Sequence, residues 1–166
     1  MDTTIRAYLG IGANLSISGH DNPKSGCLAA IDLLVQNTGL TVLNISPWYR
    51  TEPVPVSDQP WFYNAVVAIE TTLTPEQLIT AIHAVETEMG RVRMERNEAR
   101  VIDIDIVDFA GQIRADNPVL PHPRMHQRAF VLYPLRDLEP AWVHPVTKQT
   151  LAVLISELDD QNIRPE

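Results

Sequence analysis

A chain of 166 residues with one cysteine, two lysines and no long apolar run is constrained first by what it lacks. Cys27 has no partner for an internal disulfide. It sits in an apolar stretch, so it reads as a core residue. No apolar run nears the roughly 18 residues that span a membrane. The start, Met1-Asp2-Thr3-Thr4-Ile5-Arg6, is acidic and polar and does not have the order of a secretory signal. A cytoplasmic location is expected, with no membrane partner. Positive charge is scarce too: 13 Lys and Arg against 21 Asp and Glu give a formal charge of −8. General nucleic-acid binding relies on a basic surface and is disfavoured. Gly10-Ile11-Gly12-Ala13-Asn14 lacks the third glycine of a dinucleotide fingerprint, and no Gly-Lys-Ser/Thr marks a P-loop. No serine or cysteine stands in a nucleophile arrangement.

What is present is ordinary in amount: 45% apolar and 20% charged residues. The length suits one domain with a full core. There is no internal repeat, low-complexity tract or linker, so residues 1–166 are expected to form a single domain. The pattern predicts a buried strand over 5–11 and a turn at Gly12-Ala13-Asn14-Leu15. An amphipathic helix follows over 26–37, with Leu28, Ile31, Leu34 and Val35 on one side. A strand over 40–49 and a proline-punctuated loop over 50–60 come next. A third strand covers 61–72. Thr74-Pro75-Glu76-Gln77 is a strong helix start, with a hydroxyl cap, proline in the first turn and Gln three residues after the cap. That helix runs to about Met89, where Gly90 ends it. A strand covers 101–106. The order strand, helix, strand, strand, helix, strand predicts an α+β, ferredoxin-like βαββαβ sandwich, an antiparallel sheet with helices on one face. A short strand near 112–114 and helices near 123–135 and 149–158 are the additional C-terminal elements.

The most informative segment is Val101-Ile102-Asp103-Ile104-Asp105-Ile106. Strand side chains alternate between faces, so Asp103 and Asp105 share one face, roughly 6.5–7 Å apart along the backbone. Ile102, Ile104 and Ile106 anchor the other. Two carboxylates held side by side repel unless a cation sits between them. Hard oxygen ligands suit Mg²⁺, which favours one or two carboxylates together with phosphate oxygens. Arg91, Arg93, Arg96 and Arg100 stand just upstream and are suited to neutralising phosphates. This points to phosphoryl transfer from a magnesium nucleotide. The alternative is a half-exposed strand whose acidic wet face simply pairs with an arginine-rich loop.

Two further groups carry chemistry. In Gln59-Pro60-Trp61-Phe62-Tyr63-Asn64, alternation sets Phe62 and Asn64 on one face and Trp61 and Tyr63 on the other. A ring beside a carboxamide can stack on a flat heterocycle and bond its edge, or both aromatics can be core. Leu120-Pro121-His122-Pro123-Arg124-Met125-His126-Gln127-Arg128-Ala129-Phe130 brings His, Arg and an aromatic before an apolar helix. His122 suits a phosphate oxygen. His122 and His126 have no third ligand of clear spacing, so zinc is not expected. His83 and Glu86 read as a surface pair.

Together these pieces resemble the 6-hydroxymethyl-7,8-dihydropterin pyrophosphokinases of folate biosynthesis. The resemblance runs from about Tyr8 to Leu138. It rests on Gly12-Ala13-Asn14-Leu15, Tyr49-Arg50-Thr51-Glu52-Pro53, Gln59 to Asn64, Glu86 with Gly90-Arg91-Val92-Arg93, Arg100 with Asp103-Ile104-Asp105, and Pro121-His122-Pro123-Arg124 leading to Arg128-Ala129-Phe130. It implies transfer of the terminal pyrophosphate of ATP to the hydroxymethyl oxygen of the pterin, with release of AMP. It implies that Asp103 and Asp105 hold two Mg²⁺ ions and that Arg91 and Arg100 neutralise charge on the transferred group. Arg93, His122, Arg128, Glu86 and Ile106 would join them around ATP. Phe62 and Phe130 would sandwich the pterin, Asn64 and Thr51 would bond its edge, and main-chain groups near Val54 would help. The chain departs from the family at Asn97-Glu98-Ala99, where an aromatic usually precedes the arginine matched by Arg100. That loop, the family's mobile lid, is one residue shorter here. Two rivals differ in chemistry. A two-metal nucleotidyltransferase would attack the α-phosphorus and release pyrophosphate. A non-catalytic sensor would bind its ligand without magnesium.

Overall fold

Among the described residues, three of the four α-helices start on a capping side chain: Asn22, Thr74 and Thr150. The structure, a computed structural model, describes residues 3–16, 20–90 and 101–166. Helix α1 (Pro23–Thr38) begins three residues before the periodicity suggested. The Asn22 side chain accepts the Ser25 N–H at 2.9 Å, and Pro23 fills the first turn, where its missing N–H costs nothing. Gly39, at φ 74°, ends the helix in the left-handed conformation. Helix α2 (Pro75–Glu88) starts on the expected capping box of Thr74 and Gln77. The buried stripe of α1 is Cys27, Ala30, Ile31 and Leu34. Leu28, placed on that side by the sequence pattern, is instead 37% exposed. Cys27 is core as expected, and burial, then the Asp103 charge, pushes its thiol up to about 12.

The strands are β1 (Ile5–Ala13), β2 (Thr41–Ile45), β3 (Tyr49–Thr51), β4 (Phe62–Thr71), β5 (Asp103–Phe109) and β6 (Ile163–Pro165). They form one sheet in the order β5-β1-β4-β3-β6, with β2 also paired to β4, and every pairing is antiparallel. The strand expected over 40–49 is therefore two. Pro47 has no N–H to give the ladder, and the chain detours there. Ser46 repairs the gap: its N–H donates to the Val66 carbonyl and its hydroxyl accepts the Val66 N–H, both at 2.9 Å. Strand β3 then takes Arg50 and Thr51, which the prolines had suggested were loop. β1 continues through Ala13, past its expected end at 11 and into the first half of the expected turn. Near 112–114 only Arg114 makes a bridge, to Leu120.

Helices lie on both faces of the sheet, which corrects the expectation of one. Cα alternation sends Leu9, Ile11, Val67, Ile69, Ile104 and Ile106 to the side of α1 and α2. The other side buries Tyr8, Val66, Ala68 and Val107 against helix α3 (Ala129–Leu138) and helix α4 (Leu151–Ser156). The helix expected over 123–135 breaks at Arg128, whose backbone is extended, between a 3₁₀ turn (Met125–Gln127) and α3. Strand β6 has no counterpart in the sequence reading.

The Ser46 bridge gives a stability test. Ser46→Ala leaves the buried Val66 N–H without its acceptor, a loss of ~1–3 kcal/mol. Urea unfolding should show a lower midpoint at unchanged slope. A wild-type midpoint would mean that the hydroxyl does not bridge the break.

Candidate active site

Pairing of β5 with β1 sets the site. Gly12 stands opposite Asp103 and Gly10 opposite Asp105. Both aspartates face the α3 side as the alternation predicted, while Ile102, Ile104 and Ile106 are at most 3% exposed. Neither glycine carries a side chain into the space before the carboxylates. Leu9 still pairs with Ile106 in this register, and past Ile106 it shifts by one residue, so that Tyr8 pairs with Asp108. Such a bulge increases local twist and is common beside active sites.

From the opposite side of the sheet, the buried Glu86 carboxylate accepts the Ile104 N–H at 2.9 Å. It thus grips β5 between the two aspartates. Glu86 is not on the cleft wall, and the Ile106 side chain is core. These two predicted nucleotide contacts are therefore not brought together with the others.

The cleft holds about 420 Å³. Its wall includes Asp103, Asp105, His122, Arg128, Thr51, Val54, Phe62, Asn64 and Phe130, all of them residues proposed from the sequence. Arg91, Arg93 and Arg100 lie outside the described residues, as does Asn97. Gly10, Gly12, Arg124, Gln127, Val107, Val131 and Gln161 also line the cleft and were not picked out as ligand-facing. The glycines had a signal. Gly-x-Gly on a strand clears alternate positions on one face, the same period as Asp-x-Asp.

His122 is tied to the aspartate strand by its N–H, which donates to the Val107 carbonyl at 2.9 Å. Its Nδ1 accepts the Arg124 N–H at 3.1 Å, which leaves the proton of the neutral ring on Nε2. Nε2 lies 3.8 Å from Asp105 Oδ2. Burial, then the Arg128 charge, lowers the imidazole to about 4 against an opposing pull from Asp103. At neutral pH His122 is therefore a neutral N–H donor, not a cation. Arg128 brings a cation to the pair: Nη1 stands 3.7 Å from Asp105 Oδ2, and Cζ lies 5.3 Å over the Phe130 ring.

Across the cleft, the Thr51 hydroxyl donates to Asn64 Oδ1 at 2.6 Å. The bond fixes the amide, with Nδ2 above Gly12. Asn14 Nδ2 donates to the Pro60 carbonyl at 2.9 Å and to Gln59 Oε1 at 3.1 Å, securing the approach to Phe62. Among the described residues no group of three His, Cys, Asp or Glu side chains forms a metal cluster. Two hard carboxylates on a bare floor, with Arg128 and the His122 N–H beside them, suit a cation shared with an anionic ligand such as a polyphosphate.

The sequence profile of 7,8-dihydro-6-hydroxymethylpterin-pyrophosphokinase (HPPK) matches residues 8–140. The chain is 40% identical to a 2-amino-4-hydroxy-6-hydroxymethyldihydropteridine pyrophosphokinase of Methylorubrum extorquens, covering 95% of this chain and 96% of that protein. It is 41% identical to the protein of the same name from Pseudomonas aeruginosa, over 81% of each. It is also 38% identical to the folic acid synthesis protein fol1 of Pneumocystis carinii, but spans only 21% of that protein. Among solved structures, a Plasmodium falciparum HPPK-DHPS triple mutant superposes with a TM-score of 0.74 at 18% identity. The match covers 95% of this chain and 44% of that one, a likeness of fold.

The cleft floor supplies a test of its own. A Cβ at Gly12 would stand 2.4 Å from Asn64 Nδ2 and 3.2 Å from the Tyr63 carbonyl, whereas one at Gly10 meets only Val107 Cγ2 at 3.4 Å. Asn64 is buried and held by Thr51, so it has little room to yield. Overpacking of this kind costs ~1–3 kcal/mol, which exceeds the ~0.5–1 kcal/mol that alanine gains over glycine in a strand. Thermal melts should show Gly12→Ala clearly destabilised and Gly10→Ala near wild type. Equal midpoints would mean that Asn64 swings away freely.

Proposed function

The chain belongs to the 7,8-dihydro-6-hydroxymethylpterin-pyrophosphokinase family, and from that premise we propose that this cleft transfers the terminal pyrophosphoryl group of ATP to 6-hydroxymethyl-7,8-dihydropterin in folate biosynthesis. The hydroxymethyl oxygen attacks the β-phosphorus, the bond to the α-phosphate oxygen breaks, AMP leaves, and the hydroxyl proton is lost. The observation that carries this reading is the Asp103–Asp105 pair, facing one cleft with a cation and a neutral N–H donor on its anionic side and a ring-and-amide wall opposite.

Phe62 and Phe130 supply apolar faces for the flat pterin, worth ~0.5–1.5 kcal/mol per stacked pair beyond area burial. The Thr51–Asn64 pair and the main chain at Val54 bond its edge. Arg128 and the Nε2–H of His122 meet phosphate oxygens. Because the imidazole is neutral, His122 donates a hydrogen bond without adding a second cation beside Arg128. Asp103 and Asp105 would hold Mg²⁺, two ions in our reading, which when bound neutralises and orients the phosphate oxygens. Arg91 and Arg100 are assigned to the charge that develops during transfer, and Arg93 to the ATP phosphates, as the resemblance implies. Glu86 and Ile106 act on the nucleotide side through the backbone of β5 and not by lining the cleft. We read the sheet path as a ferredoxin-like core within a single domain over 1–166. Among the described residues no helix is long and apolar enough to cross a membrane, in keeping with a proposed cytoplasmic site.

Chromatography of the nucleotides after incubation with Mg²⁺, ATP and the hydroxymethyl pterin should show AMP and a diphosphorylated pterin. Pyrophosphate as the product would assign the site to nucleotidyl transfer instead. Asp105→Ala should abolish turnover even at saturating Mg²⁺. Its stability should stay within about 1 kcal/mol of wild type, because relief of repulsion from Asp103 offsets the half-exposed pairing with Arg128. Wild-type turnover would remove the metal role from this residue.

A further inference from the structure

The carboxamide of Gln161 is more than 30 residues in sequence from the backbone groups that it binds. Its Oε1 accepts the Ala129 N–H and its Nε2 donates to the Gln127 carbonyl, both at 3.0 Å. The two bonds leave one planar amide and land on either side of Arg128. Only one orientation of the amide satisfies both partners. Arg128 is the hinge between the 3₁₀ turn and α3, with φ −116° and ψ 106° and no side-chain capping bond of its own. Its N–H donates to the Met125 carbonyl at 3.1 Å and its carbonyl accepts the Val131 and Leu132 N–H groups at 3.0 Å, so each half of the hinge is held by its own helix, and the Gln161 amide ties the two halves to each other. The Arg128 torsions set where the guanidinium stands relative to Asp105 and the Phe130 ring.

Gln161 itself sits on an anchored strap. The Glu52 N–H donates to the Asn162 carbonyl at 3.0 Å, and the Asn162 amide donates to Glu52 Oε2 at 2.8 Å. β6 then pairs with β3, Ile163 opposite Thr51. The strap therefore joins the strand that carries Thr51 to the helix start that carries Arg128, across the end of the cleft, and lies beyond the family match at 8–140.

We propose that Gln161 is a positioning residue that locks the Arg128 backbone so that the guanidinium faces the aspartate pair. The proposal rests on the reading of Arg128 as a phosphate ligand. A purely structural Gln161 would change melting temperature and leave ligand affinity alone.

The test is a double-mutant cycle with Gln161→Met, which keeps the stem and removes both hydrogen bonds, and Arg128→Ala. Calorimetry gives the Kd for a non-hydrolysable ATP analogue with Mg²⁺ and, separately, for the pterin. On the scale of losing a hydrogen-bonded pair, Gln161→Met should weaken the nucleotide about fivefold and leave the pterin little changed. Added to Arg128→Ala it should weaken the nucleotide no further. An equal loss in both backgrounds would overturn the positioning role while leaving Arg128 as a ligand. Wild-type nucleotide affinity in Arg128→Ala would overturn the reading of Arg128 and the proposal with it. Where Gln161→Met does not fold, Gln161→Glu, which keeps the acceptor for Ala129, carries the same cycle.

Discussion

The register between β1 and β5 is the constraint on which the site depends. It sets Gly12 against Asp103 and Gly10 against Asp105 on one face, and Leu9 and Ile11 with Ile104 and Ile106 on the other. Side-chain period in a strand is two, so a slip of one residue would exchange the faces. A slip of β5 would then send two carboxylates into an apolar core and turn Ile104 and Ile106 into the polar cleft. Burying an unpaired carboxylate costs several kcal/mol, and exposing each aliphatic side chain forgoes ~1.5–3 kcal/mol. The core on the helix side thus enforces the polarity of the cleft side. Glu86, by holding the Ile104 N–H, fastens the same strand at the point where it bears the acids.

The second core, built around α3, brings the opposite charge to those acids. The protein as a whole is at −8, so its distant field repels a polyphosphate. Screening shortens that field to about 8 Å at physiological salt, and the local groups decide. Arg128 contributes a permanent charge held over an aromatic face. His122 contributes direction without charge, since burial and then the Arg128 charge keep it neutral.

The sequence carried most of this wherever a short-range rule applied. The Asp-x-Asp alternation, the Thr74 capping box and the placement of Phe62 with Asn64 all depend on local period or local chemistry, and all stand in the structure. Asn22-Pro23 obeys the same capping rule, but the polar loop before it hid the signal. Pro47 carried the signal for the break between β2 and β3, yet the apolar pattern on either side of it read as one strand over 40–49. What was illegible is tertiary. Nothing local in Arg128 says that its backbone leaves the helix, and nothing in Ile163-Arg164-Pro165 says strand. Three residues with a proline have almost no strand propensity without a partner.

That short strand also has an electrostatic problem to solve. Arg164 pairs directly opposite Arg50, and like charges facing across an antiparallel pair are destabilising. Each guanidinium lies over an aromatic ring instead, Arg50 at 4.1 Å from the centre of Tyr63 and Arg164 at 4.8 Å from that of Trp61. A cation over an exposed ring gains ~0.5–1 kcal/mol, comparable to the penalty of the facing charges. Trp61 and Tyr63 flank Phe62 in sequence and point away from the cleft. One aromatic triplet therefore serves both faces: its middle ring lines the cleft, and its outer rings hold the arginines that let the terminal strap close beside it.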